Sequence, residues 1–380
     1  MKPAPLLALA GAFLLLGAAV SAPVTALETP GKRALLVDVT TNTVLFEKNA
    51  DIPAPPASLS KLMTLYMLFE RLADGGLSLS DTFSVSEKAW RMGGSKMFVR
   101  VDTRVTIEDL IRGIVVQSGN DACIVVAEGL AGTESAFAEE MTRRGREIGL
   151  ESSEFKNASG WPETDHLMSA RDLAVLAARL ITDFPQYYGY FAEKTFTYNK
   201  IRQGNRNPLL YKTVGADGLK TGHTSDAGYG LVASTLRGDR RLVLVVGGLD
   251  SVTQRSREAE RLLDWGYREF GNYRLFNARD VVAEADVWLG TSNAVPLAIK
   301  DDLVVTITRK ARRSMKVSVI YEGPLKAPIS AGDQIAELRL STLGREDTRI
   351  PLYAASDVGK LGVFGRLHAA IGYLMWGATQ

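Results

Sequence analysis

Cysteine and histidine are scarce in this 380-residue chain, and both shortages narrow its chemistry. A single cysteine, Cys123, excludes an intramolecular disulfide, and its place in the apolar run "ACIVVAEGLAG" marks a buried small hydrophobe rather than a reactive thiol. The three histidines, His166, His223 and His368, leave little material for histidine-based catalysis. Neither an H-E-x-x-H metal pair nor a G-x-S-x-G nucleophile elbow occurs. Long basic runs with interleaved aromatics are also missing, and the formal net charge of +2 gives no reason to expect a nucleic-acid partner. What is present, 46% hydrophobic and 23% charged residues, is the make-up of a globular chain long enough for two domains and a sizeable core.

The N-terminus has its own character. Lys2 is followed by a Leu/Ala-rich run from Leu6 to Val20 and then small residues, the pattern of a secretory signal peptide over residues 1–26. Ala22 and Ala26 both end small-x-small triplets. Pro23 would follow the first cut and hinder it, so cleavage is expected after Ala26. The apolar run is short for a bilayer span.

Downstream, "RALLVDVTTNTVLFEKNAD" reads as a hairpin, and "GYGLVASTLRGDRRLVLVVGGLD" as a second one turning near Arg237–Asp239. Between them, from about Thr106 to Thr182, apolar residues recur at helical spacing, and "SVTQRSREAERLLDWGYREFG" is a further helix. Strands at both ends of the unit with helices in its middle predict an α+β catalytic domain over 27–273: one antiparallel sheet flanked by helices, with a helical insertion. Beyond about Phe276 the texture is short strands and turns, which predicts a small β-sandwich over 274–355, without histidine, cysteine or ligand-like acidic spacing. Residues 356–380 place Val363, Phe364, Leu367, Ile371, Leu374 and Met375 on one stripe beside Trp376, an amphipathic helix suited to a membrane surface.

The chemistry starts at "PASLSKLMT". Prolines at 53, 55 and 56 put Ser58 at or near a helix start, and Lys61, three residues on, shares its face. That spacing fits a serine nucleophile with a lysine base, and equally an N-cap followed by a solvated lysine. Ser153 and Lys156 repeat the spacing in "SSEFKNASG", so the motif alone decides nothing. Two further triplets give the first one meaning: Ser118, Gly119 and Asn120 in "VVQSGNDAC", and Lys220, Thr221 and Gly222 in "DGLKTGHT". An S-x-x-K, then S-x-N, then K-T-G, in this order and at these element positions, is a specific combination.

On these motifs, with "SARDLA", "GYGLVAS" and "EAERLLDWG", the sequence resembles the low-molecular-mass penicillin-binding proteins that act as serine-type D-alanyl-D-alanine carboxypeptidases, from roughly Ala34 to Phe270 and on through the β domain. The resemblance implies a β-lactamase/transpeptidase-like fold, a peptidoglycan stem-peptide substrate, β-lactams as covalent inhibitors, no cofactor or metal, and attachment to the outer face of the cytoplasmic membrane through the terminal helix. It implies roles too. Ser58 is the nucleophile and Lys61 the base; Ser118 relays a proton, Asn120 holds Lys61 and the substrate, and Lys220 supplies positive potential. Thr221 and Gly222 line the substrate, the N–H groups of Ser58 and His223 form the oxyanion hole, and Arg206 or Arg255 takes the terminal carboxylate. Three other readings stay open: a D,D-endopeptidase, a class A-like β-lactamase with Glu163 as deacylating carboxylate, and a catalytically silent cell-wall binding module.

Overall fold

The computed structural model describes residues 27–342 and 347–365. The expected signal peptide and all but the beginning of the expected terminal helix lie outside them.

Five antiparallel strands form the central sheet, in the spatial order Thr43–Lys48, Arg33–Asp38, Arg240–Leu249, Gly228–Arg237 and Ala216–Thr224. The middle strand reads "RRLVLVVGGL", apolar at nearly every position, because both of its faces are covered. Leu242, Leu244 and Val246 pack with Ala259, Leu262 and Leu263 of the helix Val252–Glu269. Val243 and Val245 point the other way, into the larger core with Leu62, Leu65, Leu173 and Leu176. The helices of that second layer are Lys61–Ala73, Ile107–Val115, Asn120–Ala131, Glu134–Glu147 and Ala170–Asp183.

Helix starts follow local chemistry. Thr106, Thr133, Ser169 and Ser251 each accept a hydrogen bond on the side-chain oxygen from the backbone N–H three residues on, which satisfies a donor the helix cannot pair. The helical run that holds "VVQSGNDAC" breaks at Gln117–Gly119, and Ser118 sits there with a positive φ of 59°. The break turns a serine out of a buried helix into the cleft.

In the C-terminal domain six strands run in the order Lys316–Ile320, Gln334–Ser341, Thr348–Ala354, Ala294–Ala298, Val281–Trp288 and Leu325–Lys326, around a core that includes Val295, Leu297, Leu338 and Leu352. A separate pair, Phe270–Phe276 with Leu303–Thr308, packs Leu275, Phe276, Leu303 and Val305 against that core. The expected boundary between 273 and 274 falls inside the first strand of this pair, because the helix Val252–Glu269 runs into it without a Gly/Pro linker. Asp38, fully buried, ties the joint: Arg240 Nε lies 2.6 Å from its carboxylate, and Arg240 Nη1 donates to the Phe270 carbonyl at 2.8 Å. Thr41 on the catalytic side touches Thr306 on the other.

Candidate active site

Ser58 lies in a short 3-10 turn, Ala57–Ser60, that leads into the helix Lys61–Ala73. The N-cap of that turn is Pro56 and that of the helix is Ser60, so Ser58 holds neither position, which disposes of the N-cap alternative. Instead Lys61 Nζ is 2.8 Å from Ser58 Oγ, 2.7 Å from Asn120 Oδ1 and 2.5 Å from the Ser159 carbonyl oxygen. The lysine has no exposed surface, and burial pulls its ammonium down to about 8. Asn120 is fixed in turn, donating from Nδ2 to the Gly93 carbonyl at 2.9 Å.

A second lysine–serine pair stands opposite. Lys220, on the edge strand Ala216–Thr224, donates to Ser118 Oγ at 2.9 Å and to the Thr221 carbonyl at 3.1 Å. Burial, and after it the nearby Lys61, holds its ammonium well below the ordinary lysine range. Cys123 is buried beneath both lysines, and burial pushes its thiol up to about 12, so it stays protonated as the sequence reading expects.

Glycine is required at two contacts that set the nucleophile. A Cβ on Gly222 would stand 3.0 Å from the Pro56 carbonyl oxygen, so only glycine lets the edge strand lie this close to the Ser58 turn. Gly160, at a φ of 74°, is tighter still, with the Ala57 carbonyl oxygen 1.9 Å from where a Cβ would be.

The two arginines differ. Arg255 is 5% exposed, with its guanidinium over the Tyr229 ring at 5.7 Å and its Nε without a hydrogen-bond partner. Tyr229 stacks on His223 at 3.9 Å, so His223 and Arg255 flank one ring. Burial brings Arg255 down to about 10, which leaves it charged at neutral pH. Arg206 is exposed and donates from Nη1 to Ser95 Oγ at 2.6 Å; both arginines are near enough to Lys220 to disfavour its charge.

The structure separates the repeated motif from the site. Ser153 Oγ donates to Asp172 at 2.6 Å and Lys156 Nζ to Glu154 at 3.0 Å, so that pair has other partners. Glu163 is exposed on the loop after Trp161, where Asn157 Nδ2 donates to it at 3.2 Å.

Sequence reading missed two supports, and for a third, His166, it expected a structural role without its partners. The Ser159 carbonyl is a main-chain group and carries no signal in the sequence. Asp121, fully buried, accepts from the N–H groups of Met97, Phe98 and Val99 and so anchors the segment opposite Ser118; its place directly after S-G-N was the available clue. His166 Nδ1 accepts from the Lys156 N–H at 3.3 Å, which leaves its proton on Nε2 to donate to Ser60 Oγ at 2.8 Å. Burial holds this imidazole down to about 4, and it is neutral at physiological pH.

A serine with a buried lysine one turn on, faced by a second hydroxyl–lysine pair across an antiparallel sheet edge, is the set of groups that serine acyl transfer with lysine in place of histidine requires. Comparison with known proteins specifies it further. Residues 18–251 match the D-alanyl-D-alanine carboxypeptidase family and residues 270–360 the penicillin-binding protein 5 C-terminal domain. The chain is 36% identical over 339 residues to D-alanyl-D-alanine carboxypeptidase DacA of Haemophilus influenzae, covering 88% of this chain and 86% of that one. It is also 36% identical over 373 residues to DacC of Escherichia coli, covering 95% and 93%. The crystal structure of penicillin binding protein 5 from Haemophilus influenzae superposes with a TM-score of 0.80 at 35% identity, over 89% of this chain and all of that one. The chain belongs to the D-alanyl-D-alanine carboxypeptidase family, and the fold expected from the sequence, an α+β catalytic domain followed by an all-β domain, is the one found.

Proposed function

We propose that this serine D-alanyl-D-alanine carboxypeptidase removes the terminal D-alanine from peptidoglycan stem pentapeptides through an acyl-enzyme on Ser58. The observation that carries this reading is the set of partners around Lys61. A neutral amine has two N–H donors and one lone pair. Two of the three partners, the Asn120 amide oxygen and the Ser159 carbonyl, accept only, and they engage both donors. The lone pair is left facing the one partner with a proton to give, the Ser58 hydroxyl. Lys61 is thereby set to take that proton as Ser58 Oγ attacks the penultimate D-alanine carbonyl.

The substrate adds as an extra strand along Ala216–Thr224, whose outer edge faces the Ser58 turn. Its carboxylate meets Thr221, Lys220 and the two arginines, of which Arg255 offers an unpaired Nε. The N–H of Ser58, in the first turn where no carbonyl four residues back is available, and that of His223 take the oxyanion. As the C–N bond breaks, the proton that Lys61 took from Ser58 is relayed through Ser118 to the departing amine, which leaves Lys61 neutral again, while Lys220 holds the Ser118 hydroxyl. Water then cleaves the Ser58 ester with Lys61 again as base, and Oγ regains its proton. A β-lactam enters the first half of this cycle and blocks the second.

Export and attachment of residues 356–380 to the outer face of the cytoplasmic membrane complete the reading; Val363 and Phe364, 72% and 89% exposed, begin the apolar stripe. Among the described residues no helix is long and apolar enough to cross a membrane.

The test is intact mass after mixing with benzylpenicillin, with D-alanine release from a D-Ala-D-Ala peptide followed in parallel. A persistent adduct on Ser58 together with release is expected, and Ser58→Ala removes both. An adduct without release overturns the carboxypeptidase in favour of a binder or a cross-link endopeptidase, and rapid adduct loss with hydrolysed penicillin in favour of a β-lactamase.

A further inference from the structure

Two stretches of sequence hold residues that the proposed mechanism does not use. "PASLSKLMT" ends on Thr64, and "SSEFKNASG", which carries the repeated motif, contains Asn157 and Ala158. The fold brings them together behind Lys61. Thr64, one turn beyond Lys61 on the same helix, has no exposed surface and donates from Oγ1 to the Ala158 carbonyl at 2.6 Å. The Ala158 N–H donates to Glu134 Oε1 at 3.1 Å, and Lys88 Nζ lies 2.7 Å from the other oxygen of that carboxylate. Both main-chain groups of Ala158 are therefore held, one of them from the helix that carries the base.

The carbonyl of the next residue, Ser159, is the one that meets Lys61 Nζ. Asn157, 7% exposed, fixes the turn that aims it. Its Oδ1 accepts from the N–H groups of Ser159, Gly160 and Trp161 at 3.2, 2.8 and 3.0 Å, and its Nδ2 donates to the Trp161 carbonyl at 3.0 Å. The planar peptide that bears the Ser159 carbonyl bears the Gly160 N–H on its opposite side. Binding that N–H to Asn157 therefore turns the carbonyl the other way, onto Lys61. A peptide free to rotate would release one donor of the neutral amine, and the amine could then turn an N–H instead of its lone pair toward Ser58.

We propose that Thr64 and Asn157 are positioning residues for the general base: they hold the Ser159 carbonyl on Lys61 and thereby hold the lone pair of Lys61 on Ser58. The proposal rests on the reading of Lys61 as base given above.

Thr64→Val keeps the shape of the side chain and removes its donor. Acylation by benzylpenicillin is to be followed by stopped flow from about pH 6 to about pH 10, with melting curves in parallel. In Thr64→Val the rate on the high-pH plateau is expected to fall about tenfold, from misplacement of the base. The midpoint of the pH limb is expected to move about one unit below that of the unaltered enzyme, because the carbonyl dipole favours the ammonium and its retreat favours the amine. The other charged and titratable groups about Lys61 are Asp121 and Cys123 on the helix Asn120–Ala131, Lys220, Arg206 and His166. Thr64→Val alters none of them, so a moved midpoint reports the carbonyl. Thr64→Ser, which keeps the hydroxyl, restores rate and midpoint, and Asn157→Ala moves both in the same direction as Thr64→Val. A Thr64→Val or Asn157→Ala enzyme that melts cooperatively with unchanged rate and midpoint overturns the proposal and leaves Lys61 as base. So does a fall in rate at an unmoved midpoint, the mark of general loosening, or a Thr64→Ser enzyme that restores neither. If one of the two disruptive variants does not melt cooperatively, the other decides. No acylation of the unaltered enzyme overturns the functional reading, and acylation without a pH limb overturns Lys61 as base; the proposal falls with either.

Discussion

Lys61 and His166 occupy neighbouring parts of the same wall, and burial depresses both, with opposite uses. Lys61, near 8, is partly neutral at physiological pH and gains base strength as pH rises. Penicillin acylation is therefore expected to fall as pH drops through about 8, since the protonated lysine has no lone pair for Ser58. Lys61→Ala should slow acylation by about 10²–10⁴-fold and remove that limb; a stopped-flow acylation profile in which the variant keeps the limb would refute the assignment. His166 is a structural strut rather than a catalyst. Its folded value near 4 lies below the ordinary 6.5, so between these pH values the unfolded chain binds more protons than the folded one. Its contribution to stability is present above 6.5 and lost as pH falls toward 4, by up to about 3 kcal/mol. Urea unfolding at pH 7 and pH 4.5 should show this loss in the unaltered protein and a smaller one in His166→Asn.

The site is assembled by short irregular pieces between regular elements. The Ser58 turn, the break at Ser118 and the loop through Ser159–Gly160 come from three separate stretches of chain, and Ala57 and Ser118 hold positive φ without being glycine, strain that surrounding contacts maintain. Gly160→Ala tests how closely they are fitted. Its Cβ would meet the Ala57 main chain, which cannot give way without moving Ser58. A destabilisation of about 1–3 kcal/mol is expected, with a much larger loss of D-alanine release; melting curves and the release assay check the two. Hairpins and helices were legible from their periods. Neither the break inside "VVQSGNDAC" nor the part played by "NASGW" was, because each depends on a contact from a distant segment: the Ser95 carbonyl to the Asn120 N–H at 2.7 Å, and Lys61 to the Ser159 carbonyl.

Across the whole molecule, the catalytic unit and the β domain share a buried joint instead of a linker. Asp38 and Arg240 come from the central sheet, and the strand beginning at Phe270 crosses from one unit to the other. The candidate site lies wholly on the catalytic side of that joint. Removal of the segment after Ser356 should release the protein from membranes into the supernatant with D-alanine release retained; a truncated form that still sediments would refute the anchor. By itself the sequence determined the family and the three motifs S-x-x-K, S-x-N and K-T-G, because their spacing and order are covalent facts read against a one-dimensional pattern. Tertiary structure decided which of two S-x-x-K lysines is buried, which hydroxyl that lysine faces, and how Arg206 and Arg255 differ in burial. Burial, desolvation and the meeting of main-chain groups are properties of the packed chain, and no spacing along the sequence encodes them.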